Sequence, residues 1–349
     1  MLDSESGTTE IFVSLSGGKG PAVRFGQKYR ERLDASTNLT YATHANLTGL
    51  DTDGQRVLSA TVTNYAGYSA SVKARQFILA MGGIENSRIL LWCNDQAKGK
   101  LVDPQAPLGR YWMEHPLFSI GSALIDLKPQ ESDHHIPTRL FGVTDEVKRN
   151  LSILGCTIVL QEVPLEGTKG LLSDLLCVAP KAGEWIAALA AKNLVCGARV
   201  SAGWEQEPRW ENHVKLSETE HDQFGIPLTE LHWNKSDRDF ATLQKSISQF
   251  NQYVIDGNHG RLRLDDWVFG EDGPPQICDD HNCAGYHHMG GTRMAHTVQN
   301  GVVDSNCRVF GQENLYVAGS SVFPTGGNAG PTLTIVQLAL RLAEHLRDA

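Results

Sequence analysis

With 349 residues, 41% of them hydrophobic and 20% charged, the chain is long enough to bury a large core and to form two domains. A formal net charge of -9 leaves no basic stripe for a phosphate backbone, which argues against nucleic acid and for a small neutral or polar substrate. No apolar run has the length of a membrane span, the start Met1-Leu-Asp-Ser-Glu-Ser lacks both parts of a signal peptide, and 7 cysteines without framework spacing suit reduced thiols, so a soluble, cytoplasmic chain is expected.

In chain order, residues 9–16 and 37–82 alternate apolar and polar positions between the breaks Asp51-Thr-Asp-Gly54 and Tyr65-Ala-Gly67, the pattern of a small β layer. Gly17-Gly-Lys-Gly20 lacks the order and following helix of a phosphate loop and is predicted to be a hairpin turn. Ala74-Arg-Gln-Phe-Ile-Leu-Ala-Met81 is predicted to be a buried strand, Gly82-Gly83 a tight turn, and Glu85 onward a helix. A strand, two glycines and a helix start let backbone amides approach a phosphate or ribose.

Residues 117–275 differ in texture, with β-like runs at 118–126, 152–162 and 195–203, a helix near 181–194 and an amphipathic helix near 236–256. The block starts in a polar stretch from Pro129 to Pro137, whose His134-His135 is taken as solvated surface. A second domain follows from this, a sheet with helices against one face, before the chain returns to the first domain at about 276. Pro331 stands where a helix start favours proline, and Thr332 to Arg347 is apolar around most of its girth, which predicts a core helix.

His287-His288-Met-Gly-Gly-Thr292 is the segment with the clearest chemistry. Two adjacent histidines point different ways, so one is expected to face a cleft as a base for a substrate hydroxyl; the competing reading is a buried, hydrogen-bonded histidine beside a turn. Cys278, His281 and Cys283 with His287 and His288 offer no paired-ligand framework, so no metal site is expected. Nowhere does Gly-x-Gly-x-x-Gly follow a strand.

Several segments, in their order and spacing, resemble the glucose-methanol-choline (GMC) family of flavoprotein oxidoreductases, in the branch of pyranose oxidase and the large subunits of bacterial sugar dehydrogenases. They are Phe25-Gly-Gln-Lys-Tyr-Arg-Glu-Arg-Leu33, Ile78-Leu-Ala-Met-Gly-Gly-Ile-Glu-Asn-Ser-Arg88, Leu108-Gly-Arg-Tyr-Trp-Met-Glu-His-Pro116, the His288 motif, Gly301-Val-Val-Asp-Ser-Asn-Cys-Arg308, and Asn314 through Leu340. The resemblance implies an α/β (α+β) protein: an incomplete FAD-binding domain with an added β layer over 1–116 and 276–349, and a substrate domain over 117–275, a mainly antiparallel sheet with helices on one face.

It further implies FAD-dependent oxidation of an alcohol, a sugar or glycoside hydroxyl, by hydride transfer to flavin with His288 as base. Gly82, Gly83 and Asn86 would lie along the flavin nucleotide, with Gly319, Ser320, Pro331 and Thr332 nearer its ring. The family's second catalytic position, an Asn or His directly before the Pro-Thr-Leu-Thr helix start, is Gly330 here, and Asn328 is the candidate substitute. The family's N-terminal segment with its glycine fingerprint has no counterpart, so a partner chain or further segment is expected to supply it. The alternative is a non-catalytic or degenerate homologue that binds a partner chain; a metal-dependent hydrolase is a third and weaker reading.

Overall fold

The computed structural model describes residues 12–14, 23–125, 138–162, 179, 197–270 and 285–348. Two hydrophobic cores organise them, one under a six-stranded sheet and one around a short parallel strand pair.

The six-stranded sheet is antiparallel throughout and runs β1 (Phe12–Ser14), β7 (Thr138–Val143), β8 (Cys156–Glu162), β9 (Ala198–Trp204), β6 (Leu117–Ile125), β12 (Gly260–Leu264). Along β9 the residues Ala198, Val200, Ala202 and Trp204 are buried and their neighbours are not, the period of two that commits one face to a core. Helix α5 (Asp237–Asp256) supplies Leu243, Ile247, Phe250 and Val254 to that core at helical spacing, roughly 1.5–3 kcal/mol for each side chain removed from water. Its start is fixed by a capping box: Ser236 Oγ accepts from Asp239 N at 3.1 Å and Asp239 Oδ2 accepts from Ser236 N at 2.8 Å. A shorter helix, α4 (Asp145–Leu151), is capped by Thr144.

The other core gathers a three-stranded layer, β2 (Asn46–Thr52), β3 (Val57–Thr63) and β4 (Ser69–Val72), with helix α3 (Glu85–Gln96) and the parallel pair β5 (Phe77–Leu79) and β13 (Leu315–Val317). The turn between β2 and β3 is closed by Asp53 Oδ1, which accepts from Gln55 N and Arg56 N. A hairpin of β10 (His213–His221) and β11 (Pro227–His232) packs on this body, where Arg88 of α3 binds Asp222 Oδ2 at 2.7 Å and the carbonyls of Ile226 and Pro227. Two short exposed helices, α1 (Phe25–Lys28) and α2 (Arg30–Asp34), precede the layer, and α6 (Thr332–Asp348) ends the chain.

Three expectations are corrected. The strand at 12–14 joins the six-stranded sheet, with Phe12 opposite Val143, and not the β2–β4 layer; alternation marks a strand but carries no information on its neighbour. The strand predicted over 74–81 forms only at Phe77–Leu79, and Ile78 is 48% exposed. The closing helix is no core helix among the described residues: Leu342 is its one buried residue, while Leu333 and Leu340 are 69% and 62% exposed. An apolar stripe requires cover, and the described residues leave this stripe and the two-stranded parallel sheet open.

No described helix is long and apolar enough to cross a membrane. The hairpin expected at 17–20, the 129–137 stretch with His134 and His135, the helix near 181–194, and Cys278, His281 and Cys283 lie outside the described residues.

Candidate active site

Three chain segments meet around the paired histidines. Met113 and Met289 exchange backbone hydrogen bonds of 2.8 and 2.9 Å, which fastens the 110–116 segment beside 285–294. This approach needs Gly290, whose φ is +77° and where a β-carbon would stand 2.1 Å from Tyr111 O. The third segment follows β13: Gly290 N donates to Ser320 O at 3.2 Å, Thr292 N to Ser321 O at 3.1 Å, and Ser320 Oγ to His288 O at 2.6 Å. Gly83 closes the cluster from the other side, since a β-carbon there would lie 2.3 Å from His288 O. Gly82, with φ +96°, faces open space.

Asn86 is fully buried at the head of α3 and joins both parallel strands. Its Oδ1 accepts from Met81 N at 2.9 Å, while Nδ2 donates to Ala318 O at 3.0 Å and Ser321 Oγ at 2.9 Å. Both amide hydrogens are thereby committed to the chain itself, so Asn86 shapes the turn on which Gly82 and Gly319 sit. Gly319 has φ +113°, a conformation that brings it close to Asn86 Nδ2.

A buried carboxylate, Glu114, organises the histidines. Oε1 accepts from His115 N at 2.9 Å and from His287 N at 2.7 Å, and Oε2 lies 3.4 Å from His288 Nε2 with no hydrogen bond of its own. The two imidazoles turn to different partners. His288 stands beside the buried Trp112, ring centres 5.6 Å apart, and its side chain is 38% exposed. The His287 ring meets His115 edge on, Nδ1 to Nδ1 at 2.8 Å, and His115 Nε2 lies 2.7 Å from Gly327 O. Burial pushes the His115 pKa down. Burial and the neighbouring His115 and His288 lower that of His287 to about 4.

The loop before α6 is anchored to the six-stranded sheet. Glu205 accepts from Gly327 N at 3.1 Å through one oxygen and from Gly155 N at 3.0 Å through the other. Asn328 Nδ2 donates to Thr157 Oγ1 at 3.0 Å, and Thr157 Oγ1 donates to Asn328 O at 3.0 Å. The Asn328 side chain also rests against Gly155, where a β-carbon would stand 2.6 Å from its Oδ1. Gly330 lies beside His287, with Cε1 and Nε2 both 3.9 Å from where a β-carbon would be, an ordinary contact distance. Pro331 is buried and Thr332 exposed at the start of α6, whose first amides have no acceptor within the helix.

The structure thus brings His288, Gly83, Ser320, Gly319 and Asn86 together, places Gly330 and the α6 start beside His287, and turns Asn328 toward β8. Glu114, His115 and Glu205 were given no role from sequence, although Glu114 and His115 lie within the Leu108 to Pro116 motif. Among the described residues no group of three or more His, Cys, Asp or Glu side chains is arranged to hold a metal ion.

Residues 208–339 match the GMC oxidoreductase family. That stretch, which carries the His288 motif, is thus similar to the GMC oxidoreductases. The chain is 26% identical over 322 residues to the C-glycoside 3-oxidase of Microbacterium trichothecenolyticum, covering 89% of this chain and 54% of that protein. It is 25% identical over 305 residues to the fructose dehydrogenase large subunit of Gluconobacter japonicus, covering 85% of this chain and 52% of that protein. The chain therefore spans about half the length of the curated GMC relatives it matches. Its fold is shared with an FAD-dependent oxidoreductase from Chaetomium thermophilum at a TM-score of 0.62 and 13% identity, over 93% of this chain and 64% of that one. GMC oxidoreductases are FAD-dependent.

Proposed function

We propose that this chain carries the histidine-bearing, substrate-facing part of an FAD-dependent oxidoreductase acting on a CH–OH group of a sugar or glycoside. A complementary FAD-binding chain or segment completes it, and residues 117–275 form its substrate domain. The observation that carries this reading is the meeting of His288 with Gly83 and Ser320, while Gly330, just ahead of α6, lies beside the neighbouring His287. The similarity to a C-glycoside 3-oxidase and to a fructose dehydrogenase large subunit supports the substrate class and a multi-subunit setting. Three described cysteines, Cys93, Cys156 and Cys307, are free, which fits a reducing compartment such as the cytoplasm.

The residues present fit a flavin. Gly82 faces open space, the first amides of α6 are unpaired, and the half-exposed Ile78 borders an open sheet edge. In this reading Gly82, Gly83, Gly319 and Ser320 line the cofactor, Asn86 shapes their turn, and Pro331 and Thr332 present the α6 amides to developing negative charge. Bound FAD would supply the hydride acceptor. His288 takes the hydroxyl proton, and the Glu114 carboxylate facing Nε2 stabilises the imidazolium that forms. Asn328, held by Thr157, positions the loop and does not stand in for a side chain at 330.

A second reading, a non-catalytic homologue that binds a partner chain through its open apolar face, is favoured by Gly330 and by the engagement of Asn328 elsewhere. The visible spectrum of the protein purified with its complementary half separates the two. A flavin band bleached anaerobically by a sugar or glycoside is the expected result; a colourless protein would transfer the case to the second reading.

A further inference from the structure

We propose that His287 is a hydrogen-bond acceptor of this cleft, its bare Nε2 lying beside Gly330 and its tautomer fixed through His115 by the carbonyl of Gly327. The proposal deepens the redox reading above and names a residue that the family resemblance does not assign.

The tautomer follows from a chain of hydrogen bonds. A backbone carbonyl only accepts, so the 2.7 Å contact between His115 Nε2 and Gly327 O requires the hydrogen on His115 Nε2. His115 is buried, which favours its uncharged ring, and an uncharged ring protonated at Nε2 has a bare Nδ1. The 2.8 Å contact between the two Nδ1 atoms then needs its hydrogen from His287, because two lone pairs do not meet at that distance. An uncharged His287 with hydrogen on Nδ1 has a bare Nε2. No described residue donates to that atom, and it lies beside Gly330, where the absence of a side chain leaves it room. Free imidazole side chains in water favour the opposite tautomer, so this one is imposed by the fold.

The titratable groups that face His287 are His115, His288 and Glu114, with Glu205 behind them through Gly327 N. Glu114 meets the His287 backbone amide and leaves the ring to His115. A lone pair held next to His288 is suited to accept a hydrogen bond from a hydroxyl neighbouring the one oxidised. A polyol carries such a group and a simple alcohol does not.

The test begins with the full chain carrying nitrogen-15 histidine, its His287 resonances assigned by comparison with His287→Gln. Long-range proton–nitrogen spectra at neutral pH are expected to show His287 protonated at Nδ1 and bare at Nε2, and His115→Phe is expected to move the proton to Nε2. A wild-type His287 protonated at Nε2 overturns the proposal without need of the second variant, and an unchanged tautomer in a folded His115→Phe does the same. Neither result involves flavin or substrate, so they stand apart from the redox reading. In the holoenzyme, His287→Phe is expected to raise the ratio of KM for a sugar to KM for a simple alcohol by about tenfold, the loss of one hydrogen bond. An unchanged ratio removes the substrate role from His287.

Discussion

Glu114 Oε2 lies 3.4 Å from His288 Nε2 on a carboxylate that is 1% exposed, while Oε1 of the same group takes the amides of His115 and His287. One side chain therefore fixes the backbone that carries the histidines and faces the imidazole proposed as base. Glu114→Ala strands two amides and is expected to cost about 2–5 kcal/mol in urea unfolding, while Glu114→Gln keeps an acceptor and loses less than half of that. Equal losses in the two variants would contradict the role assigned to Oε1.

Gly83→Ala tests the same cluster from its other side. A methyl group 2.3 Å from His288 O forces the histidine segment to shift, because the contact is with backbone and has no flexible end to yield. Flavin reduction in the holoenzyme is expected to slow by about 100-fold, as follows from misplacing a catalytic group by about 1 Å. Rapid-mixing absorbance measures it, and a rate within a factor of two of the wild type would show that the contact is relieved without moving His288.

Acid should unsettle this region through His287. Burial first, then the neighbouring His115 and His288, lowers its pKa from 6.5 to about 4, so the unfolded chain binds the proton more readily than the folded one. The stability tied to the uncharged ring is fully present above pH 6.5 and is lost progressively as pH falls from there toward 4. The Tm of the wild type is expected to fall more steeply across that window than the Tm of His287→Gln. Parallel curves would contradict the assignment.

Local signals were legible in the sequence where the physics is local. Helix α5 was visible because apolar positions recur at helical spacing over 236–256, and the β2–β3 turn because Asp51-Thr-Asp-Gly54 breaks the alternation there. The GMC motifs gave the antiparallel sheet with a packed helix. What stayed hidden depends on long-range pairing. His115 and His287 are 172 positions apart, and long-range pairings such as the Met113–Met289 bridge and the Glu114 bond to His287 N bring them together. Asn328 looked like a substitute for a side chain at 330 because two positions are close along the chain, yet its bond to Thr157 and its contact with Gly155 turn it to the six-stranded sheet. The apolar girth of α6 predicted a buried helix, yet among the described residues only Leu342 of it is buried, because an apolar stripe does not say what covers it.

The most direct measurement is anaerobic reduction of the flavin by a sugar or glycoside in the protein joined to its complementary half, comparing wild type with His288→Ala. The account predicts retained flavin absorbance and a first-order reduction rate lower by about 10²–10⁴-fold, the contribution of a positioned general base. A variant that reduces its flavin as fast as the wild type would remove His288 from the chemistry and contradict the account.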